Sequence, residues 1–399
     1  MISITIPLVT TALAVGVGSY LTLVRRLRYR RLAHFNATYN PKSLSTAELC
    51  STLTLSAAQA IVNDIRELEF PWAFQKSLQL ALFRTYAFPN VSSLLQKTRQ
   101  LSTAENSGRR YADTTVLLAE FLAWPLDSER ASLAIARMNY LHRAHPEILP
   151  RDTLYTLMLF VTQPVEFINR FEWRTVTPLE EAASWRLWYE IGLRMGIPAE
   201  TIPGSFAEMV EMYNRHEEEF MAPAESNAIL GTHTMDLLLY WVPGKTAKWV
   251  GRQCVYTVCD ARLRKAMLFP DPAGWVARLL PVLLGVRGFI LRHLALPRSE
   301  GRRERFVNDR PGKNGRYFMQ RYDNEPWYVP ATLGNRWGLW GVIYRILGLP
   351  TAGTKGYGED GYEIETVGPR SFKKVGAEAV RREAEEIRKM GGGGGCPFA

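Results

Sequence analysis

The 399-residue sequence has few cysteines and none of the short motifs that mark several common enzyme classes. Its four cysteines, Cys50, Cys254, Cys259 and Cys396, include no CxxC pair. A disulfide framework or a zinc cluster would need closer spacing, so we expect a reducing compartment. There is no GxSxG elbow, no P-loop, no HExxH and no GxGxxG loop after a predicted strand. The enzyme classes that depend on those motifs are therefore disfavoured.

The most basic part of the chain, residues 25–31, contains no acidic residue. The formal net charge is +10, and half of it comes from five arginines between Arg25 and Arg31. Nucleic-acid binding would need a basic face interleaved with aromatic residues, and no such face is visible elsewhere. We therefore expect no nucleic-acid partner.

Charged residues of either sign are absent from residues 4–24. A helix of this length, at about 1.5 Å per residue, spans roughly 30 Å, the thickness of the hydrocarbon core of a bilayer. The arginines follow the apolar run, whereas a signal peptide has them in front. Because positive charges stay on the cytosolic side, we predict one transmembrane anchor with everything after Arg25 in the cytosol. An interfacial helix is the alternative, since Gly16 and Gly18 lower the hydropathy.

Alternating strand patterns with hairpin turns do not recur in the chain. Apolar residues recur at i, i+3 and i+4, which predicts an all-α helical bundle. The pattern indicates helices over 45–68, 72–86, 92–101, 111–123, 129–144, 151–170 and 179–195, and further helices between 223 and 294. Residues 297–328 are expected to be irregular. Residues 337–347 are apolar apart from Arg345. The segment is too short to span a bilayer, so we expect it to pack on the core or to lie at the membrane surface.

The C-terminus is a charged helical pattern over 377–390 followed by GGGGGCPFA. The glycines before Cys396 superficially resemble a haem-thiolate loop. Only three residues follow this cysteine, so the helix that packs such a ligand against a porphyrin is missing. We interpret the segment as a flexible tail.

One of the six histidines lies on an apolar helical face. His142 shares that face with Ile135 and Met138, at i−7 and i−4, and should point inward. Such a histidine is usually a hydrogen-bonded core residue, but haem iron also needs only one histidine from the protein. His145, just before a proline, is expected to face solvent, as is His216 within NRHEEEF.

A polar pair lies on the preceding predicted helix. Arg110 and Thr114 are four residues apart and therefore share a face. In a structural interpretation, Arg110 is solvated or paired with Asp113 or Glu120. In a functional one, Arg110 supplies fixed positive charge, and Thr114 a hydroxyl donor, to oxygen-derived charge in a dry pocket. These residues alone leave both interpretations open.

The order of these residues resembles a haem-binding signature. RxxxT at Arg110 and Thr114, then NYLH ending at His142, is similar to that of the rubber oxygenase (latex-clearing protein) superfamily. The chain more closely resembles the fungal ER-bound oxygenases of the MpaB type. The segments that carry the likeness are LEFPWAFQKSLQLALFRTY, RRYADTTVLLAE, ARMNYLH, QPVEFINRFEWRT, DARLRKAMLF, NRWG and the closing CPF. They extend over nearly the whole chain.

This resemblance implies a haem b with His142 as axial iron ligand, Arg110 and Thr114 near it, and O2 as co-substrate. It implies oxidative cleavage of an isoprenoid carbon–carbon double bond to carbonyl fragments. The bacterial rubber-cleaving enzymes have a lysine before the motif threonine, where this chain has Asp113. We therefore expect a carboxylate near the distal face, as base or hydrogen-bond acceptor. Arg264 is the expected partner of a haem propionate.

The expected function is cleavage of a prenyl or farnesyl-type side chain on a terpenoid or meroterpenoid of fungal secondary metabolism. The expected partners are this lipophilic substrate, the ER membrane and other pathway enzymes. Two alternatives stay open: a haem monooxygenase or peroxygenase that hydroxylates or epoxidises a lipophilic intermediate, and a haem-free ER scaffold. The predicted domains are an anchor with its basic cluster (1–34), a helical haem oxygenase domain (35–375), and a charged helix with a Gly-rich tail (376–399).

Overall fold

The computed structural model describes residues 5–322, 324–372 and 375–391. The predicted tail beyond residue 391, with Cys396, lies outside these residues. Within them the chain is helical, and extended segments pair only in two isolated antiparallel bridges, Val307 with Met319 and Tyr317 with Tyr362. The all-α prediction is therefore confirmed.

Seventeen α-helices form the described part of the chain. The first nine are α1 (Thr5–Tyr39), α2 (Thr46–Thr52), α3 (Leu55–Asp64), α4 (Pro71–Thr85), α5 (Pro89–Thr98), α6 (Ala104–Ala123), α7 (Glu129–Arg143), α8 (Pro150–Phe171) and α9 (Pro178–Arg194). The others are α10 (Phe206–Phe220), α11 (Glu225–Leu238), α12 (Lys245–Val258), α13 (Ala261–Ala266), α14 (Gly274–His293), α15 (Leu333–Trp337), α16 (Leu339–Ile346) and α17 (Ala377–Lys389). Their order matches the predicted helices closely.

The predicted helix over 45–68 is interrupted in the structure. Leu53 is extended, and the Thr54 side chain accepts a hydrogen bond from the Ala57 N–H at 3.3 Å, which caps a new helix, α3. A threonine hydroxyl can replace the missing helical partner of an N–H group, so the break costs little. A π-helical turn, Ile65–Glu69, then leads into α4. Apolar spacing alone did not reveal either feature.

Helix α9 lies at the centre of the bundle. Its Trp185, Trp188 and Tyr189 are almost fully buried, and it packs against α2, α3 and α8. Trp188 stacks on Phe160 of α8 with ring centroids 4.7 Å apart. A helix that is buried on every side organises the core around itself, and α9 supports α8, one of the helices that line the site described below.

A buried ionic cluster joins α4, α8 and α10. The Arg84 guanidinium donates to both Glu217 carboxylate oxygens at 2.7 Å, and Tyr155 donates to the same carboxylate at 2.7 Å. His216 is buried beside it, stacked on Tyr155 at 4.7 Å between ring centroids. The expectation that His216 faces solvent is therefore wrong, and burial lowers its pKa to about 4.

The segment after α14 wraps over α6 and α7. Tyr362 donates to Glu120 of α6 at 2.6 Å, and Arg137 of α7 donates to the carbonyls of Val367 and Phe372 at 2.7 and 2.9 Å. Helix α17 packs its buried residues on α7. The predicted irregularity of residues 297–328 agrees with the structure, where Glu300–Arg302 is a single 3-10 turn. The predicted domain boundaries stay predictions.

Helix α1 runs through the predicted anchor and the arginine cluster without a break. Its apolar side chains are exposed, with Leu13 at 68%. Within the described residues, one helix is long and apolar enough to cross a bilayer by length and composition, and it is α14. The single N-terminal span therefore stays a prediction, and α14 is a feature that the sequence analysis did not single out.

Candidate functional site

A largely apolar cavity of about 230 Å³ opens among α4, α5, α6, α7 and α8. Helix α6 contributes one continuous stripe to its wall, because residues at i, i+4, i+7 and i+8 share a helical face. The stripe consists of Arg110, Thr114, Leu117, Leu118 and Phe121. Helix α7 adds His142 from the facing side. The structure therefore brings together three of the five site residues that the sequence predicted.

The positions of Arg110 and Thr114 are coupled by hydrogen bonds. Arg110 Nη1 donates to Thr114 Oγ1 at 2.5 Å, and Thr114 Oγ1 donates to the Arg110 backbone carbonyl at 3.0 Å. The predicted role of Thr114 as a donor into the pocket is thus replaced, in this conformation, by a role in holding the guanidinium. The arginine side chain is fixed towards the cavity.

Arg110 has no carboxylate partner among the described residues. The two acids that the sequence offered are engaged elsewhere: Asp113 lies 3.7 Å from Arg109, and Glu120 pairs with Arg130 at 2.7 Å. An arginine without an ion pair adds positive potential to its part of the wall, although the acidic Glu147 and Asp152 line the same cavity. The space beside Arg110 is therefore suited to a group that carries or develops negative charge.

His142 faces this cavity as a neutral imidazole. Burial lowers its pKa to about 4, and the positive charges of Arg110 and His145 act in the same direction. Within the described residues its side chain makes no hydrogen bond, so a lone pair is available to a ligand. His142 also lines an outer hollow of about 780 Å³ bordered by Arg143, His145 and Arg151. It thus lies between the buried cavity and a basic outer hollow.

Asp113 does not face the cavity. Its carboxylate is fully buried on the other side of α6, where Tyr328 donates to Oδ1 at 2.6 Å. Burial raises the pKa of Asp113 to about 6, against the effects of the Tyr328 hydrogen bond and of Arg109. The expectation of a carboxylate beside Thr114 in the pocket is corrected, because adjacent helical residues point about 100° apart.

Arg264 lies away from His142 as well. It belongs to α13, where Nη1 donates to the Cys259 carbonyl at 2.6 Å and Nη2 pairs with Asp271 at 3.0 Å. It does not line the cavity, so the structure gives no support to its expected contact with a propionate. Arg110 is the cation that shares the cavity with His142.

Polar residues at the cavity wall also include a pair that the sequence analysis missed. Asn90 Nδ2 donates to Asp152 Oδ2 at 2.5 Å, from the start of α5 to the first turn of α8. Asp152 shares a helical face with Thr156, and this spacing was a usable signal. Its pairing with Asn90 was not visible, since 62 residues separate the two.

A smaller cavity of about 80 Å³ adjoins the first. Leu82, Tyr111 and Leu118 line both cavities. Gln79 donates to the Tyr111 hydroxyl at 2.5 Å and so fixes the ring in this dividing wall. The remaining wall is largely apolar, with Phe74 and Leu122, and it also includes Arg66, Gln75 and Thr115.

The sequence of this chain is similar to those of known proteins. The catalytic-domain family described as ER-bound oxygenase mpaB/B'/Rubber oxygenase matches residues 99–290, which include Arg110, Thr114 and His142. ER-bound oxygenase mpaB' of Penicillium brevicompactum is 36% identical over 395 residues, or 95% of this chain and 92% of that protein.

Two further relatives carry the name ER-bound oxygenase mpaB. The protein of Penicillium brevicompactum is 34% identical over 340 residues, 84% of this chain and 82% of its own length. That of Penicillium roqueforti (strain FM164) is 38% identical over 266 residues, 63% of this chain and 88% of its own length. The predicted resemblance and the predicted oxygenase class are both confirmed. The chain belongs to the family of the ER-bound oxygenases mpaB/B' and the rubber oxygenases.

Proposed function

We propose that the chain holds a haem b through His142 and uses O2 to cleave a carbon–carbon double bond in a prenyl or farnesyl-type side chain. The substrate class is a terpenoid or meroterpenoid of secondary metabolism. One observation carries the proposal: a neutral imidazole and an unpaired guanidinium line the same apolar cavity. Membership of an oxygenase family agrees with it.

The side chains that line the cavity are of the kinds that can hold a haem. Iron binds the neutral form of imidazole, which is the form that His142 keeps at neutral pH. The described residues hold no group of three His, Cys, Asp or Glu side chains that would bind a bare metal ion, whereas haem needs one protein ligand. Apolar walls suit a porphyrin ring, and the Arg110 cation suits a carboxylate or oxygen-derived charge.

When bound, the haem would supply the activation of O2. The chain's own residues have separate tasks. His142 would hold the iron, Arg110 would stabilise negative charge that develops on oxygen, and Thr114 would keep the Arg110 guanidinium in place. The leucine and phenylalanine walls exclude water, which strengthens each of these electrostatic effects.

The adjoining apolar cavity suits the substrate class. A prenyl chain carries no hydrogen-bonding group, and Phe74, Leu78 and Leu122 give it apolar wall to pack on, beside the polar side chains of Arg66, Gln75, Gln79 and Thr115. The chain would lie past Tyr111, with its double bond in the main cavity. Overall, one alkene and one O2 give two carbonyl groups, so the reaction needs no reductant.

Membrane attachment belongs to the same proposal. The relatives are named ER-bound oxygenases. We place this chain on the ER membrane through α1, with the oxygenase body in the cytosol. A prenylated substrate partitions into the bilayer, so attachment would bring the enzyme to it.

The proposal is tested by the visible absorption spectrum of the detergent-purified protein. We expect a haem Soret band in the wild-type protein and in His145→Ala, the matched control three residues away. His142→Ala should lose or shift the band, because the axial ligand is gone. A His142→Ala protein that keeps the full band and its activity would contradict the assignment of His142 as the iron ligand.

Product analysis under isotopically labelled O2 tests the reaction type on a farnesylated phenol as probe. Cleavage predicts two fragments, each with a labelled carbonyl oxygen. An uncleaved carbon skeleton with a labelled hydroxyl or epoxide oxygen would instead support the monooxygenase or peroxygenase alternative. A wild-type protein that stays colourless with adequate haem supply would support the scaffold alternative.

A further inference from the structure

Helix α14 carries an unusual amount of exposed apolar surface. Its outward face follows i, i+4, i+7, i+8 and i+11 spacing and includes Val282 at 60%, Leu283 at 55% and Phe289 at 59% exposure. Single exposed apolar residues are common on proteins, but a continuous stripe along a whole helix marks an interaction surface. The other residues of this outward face are Trp275, Leu279, Val286 and Ile290.

The opposite face of α14 is docked on the protein. Arg287 pairs with the buried Glu172 at 3.0 Å and lies over the Trp72 ring at 4.5 Å. A Cβ added at Gly288 would lie 3.6 Å from the backbone of Glu172 and Trp173, so the helix approaches the body closely there. Crossing a bilayer would require these contacts to be broken. The helix therefore lies along the surface of the body with one face outward.

A second apolar element continues this surface. Helices α15 and α16 expose Leu333 at 81%, Leu339 at 74% and Ile346 at 79%. Tryptophan contacts place both α16 and α14 beside the segment 241–249, which runs from the end of α11 into α12. Trp340 lies 6.2 Å from Trp241, and Trp275 lies 6.4 Å from Trp249, between ring centroids. Tryptophan prefers the boundary between hydrocarbon and water in a membrane.

The charged residues within these segments are all basic. Residues 241–258, 274–296 and 331–349 contain no Asp or Glu. Their lysines and arginines are Lys245, Lys248, Arg252, Arg278, Arg287, Arg292, Arg336 and Arg345, of which Arg252 is paired with Asp236 and Arg287 with Glu172. Basic residues beside an apolar face complement the anionic headgroups of a cytosolic leaflet.

The contacts between α1 and the end of α14 indicate the depth at which α14 would lie in a membrane. Tyr20 of α1 donates to the Leu294 carbonyl at 2.8 Å, and Arg28 donates to the Ala295 carbonyl at 3.0 Å. These contacts lie where the apolar part of α1 ends and its arginine cluster begins. In an anchor this boundary lies at the membrane interface. The C-terminal end of α14 is therefore at the level of that interface.

From these observations we infer that α14, α15 and α16 form a second membrane contact, which lies in the plane of the cytosolic leaflet. The occupant of the apolar face is a phospholipid bilayer. The chain is held by the anchor and by this in-plane face together. The inference rests on the proposed attachment through α1 but goes beyond the oxygenase function, and it does not require haem or substrate.

The test is photolabelling of the full-length chain in nanodiscs that contain a phosphatidylcholine with a diazirine on its acyl chain. Peptides from α14 and α16 should be labelled together with α1, and peptides from α10 and α17 should not. Adding phosphatidylserine should increase labelling of α14. Labelling confined to α1 would overturn the inference, as would a dimer in solution that buries α14.

Substitution sharpens this test. In Leu279→Gln with Leu283→Gln, labelling of α14 should fall several-fold, because both side chains point outward. The control, Met212→Gln with Met390→Gln, replaces exposed apolar residues away from this face and should leave labelling unchanged. Thermal melting in detergent must be the same for both variants, which separates lost lipid contact from lost folding. Equal labelling of the two variants would contradict the inference.

Discussion

At the scale of single residues, the sequence spacing predicted which side chains share a helical face, but it did not predict all of their hydrogen-bond partners. The four-residue interval of Arg110 and Thr114 placed them together, and the structure joins them by two hydrogen bonds. The same periodicity, applied to Asp113, shows that it had to point elsewhere. Its partner Tyr328 is 215 residues away, so no local pattern could reveal the contact.

Thr114→Val tests the coupling of the two residues. The valine keeps the shape of the side chain but cannot accept from Arg110, so the guanidinium loses its orientation. We expect kcat to fall about tenfold at unchanged haem content, on the scale of a partly displaced charge-stabilising group. The control is Thr162→Val, since Thr162 donates to the carbonyl four residues before it and does not line the cavity. An unchanged kcat in Thr114→Val would reduce Thr114 to a packing residue.

Asp113 predicts a pH-dependent contribution to stability. Its pKa is about 6 in the folded chain and about 3.9 when unfolded, so the folded state binds the proton more tightly. This contribution favours folding at low pH and is lost as pH rises through 6. Asp113→Asn removes the dependence. Relative to wild type, the variant should gain up to about 3 kcal/mol in unfolding free energy between pH 4 and pH 7, at 1.36 kcal/mol per pKa unit.

The measurement is denaturant unfolding of both proteins in the same detergent at the two pH values. The carboxamide keeps an acceptor for the Tyr328 hydroxyl, so the comparison isolates the charge. A stability difference that is the same at both pH values would contradict the raised pKa of Asp113.

At the scale of elements, the apolar periodicity of the sequence located the helices. It did not reveal where helices are interrupted or which of their charged side chains are buried. The stripe of α10 runs Met209, Tyr213, His216 and Phe220, at i, i+4, i+7 and i+11, and places His216 inward. The three acidic residues after it suggested solvent instead. Glu217, the first of them, is itself buried because Arg84 of α4 compensates its charge. Sequence could not predict that pairing across 133 residues.

Two glutamates on α10 provide a matched comparison of ion pairs. Glu217→Ala leaves the Arg84 charge buried without its main partner, so we expect a loss of about 3–5 kcal/mol in unfolding free energy. Glu211→Ala breaks an exposed pair with Arg215 on the same helix and should cost about 0.5 kcal/mol or less. Denaturant titration followed by circular dichroism measures both. Similar losses in the two variants would refute the structural role of the buried cluster.

At the scale of the whole molecule, the all-α class was predictable and the path of the C-terminal third was not. Irregular segments carry no periodic signal, yet this one supports the helix that bears His142. The buried Arg137 donates to the carbonyls of Val367, Phe372 and Val375 from α7. A single buried arginine thus connects the candidate iron ligand's helix to residues more than 200 positions later in the chain.

The continuity of α1 has a mechanical consequence. Its 35 residues, at about 1.5 Å each, extend roughly 50 Å, and Arg28 and Tyr29 fasten its arginine-rich part to the body without a hinge. In the proposed attachment through α1, any tilt of that helix in the bilayer would therefore tilt the whole molecule. A thinner or thicker bilayer changes that tilt through hydrophobic mismatch. If the proposed anchor and the proposed in-plane contact of α14 both hold, they would together restrict the tilt of the body, so lipid chain length would change how the protein sits on the bilayer.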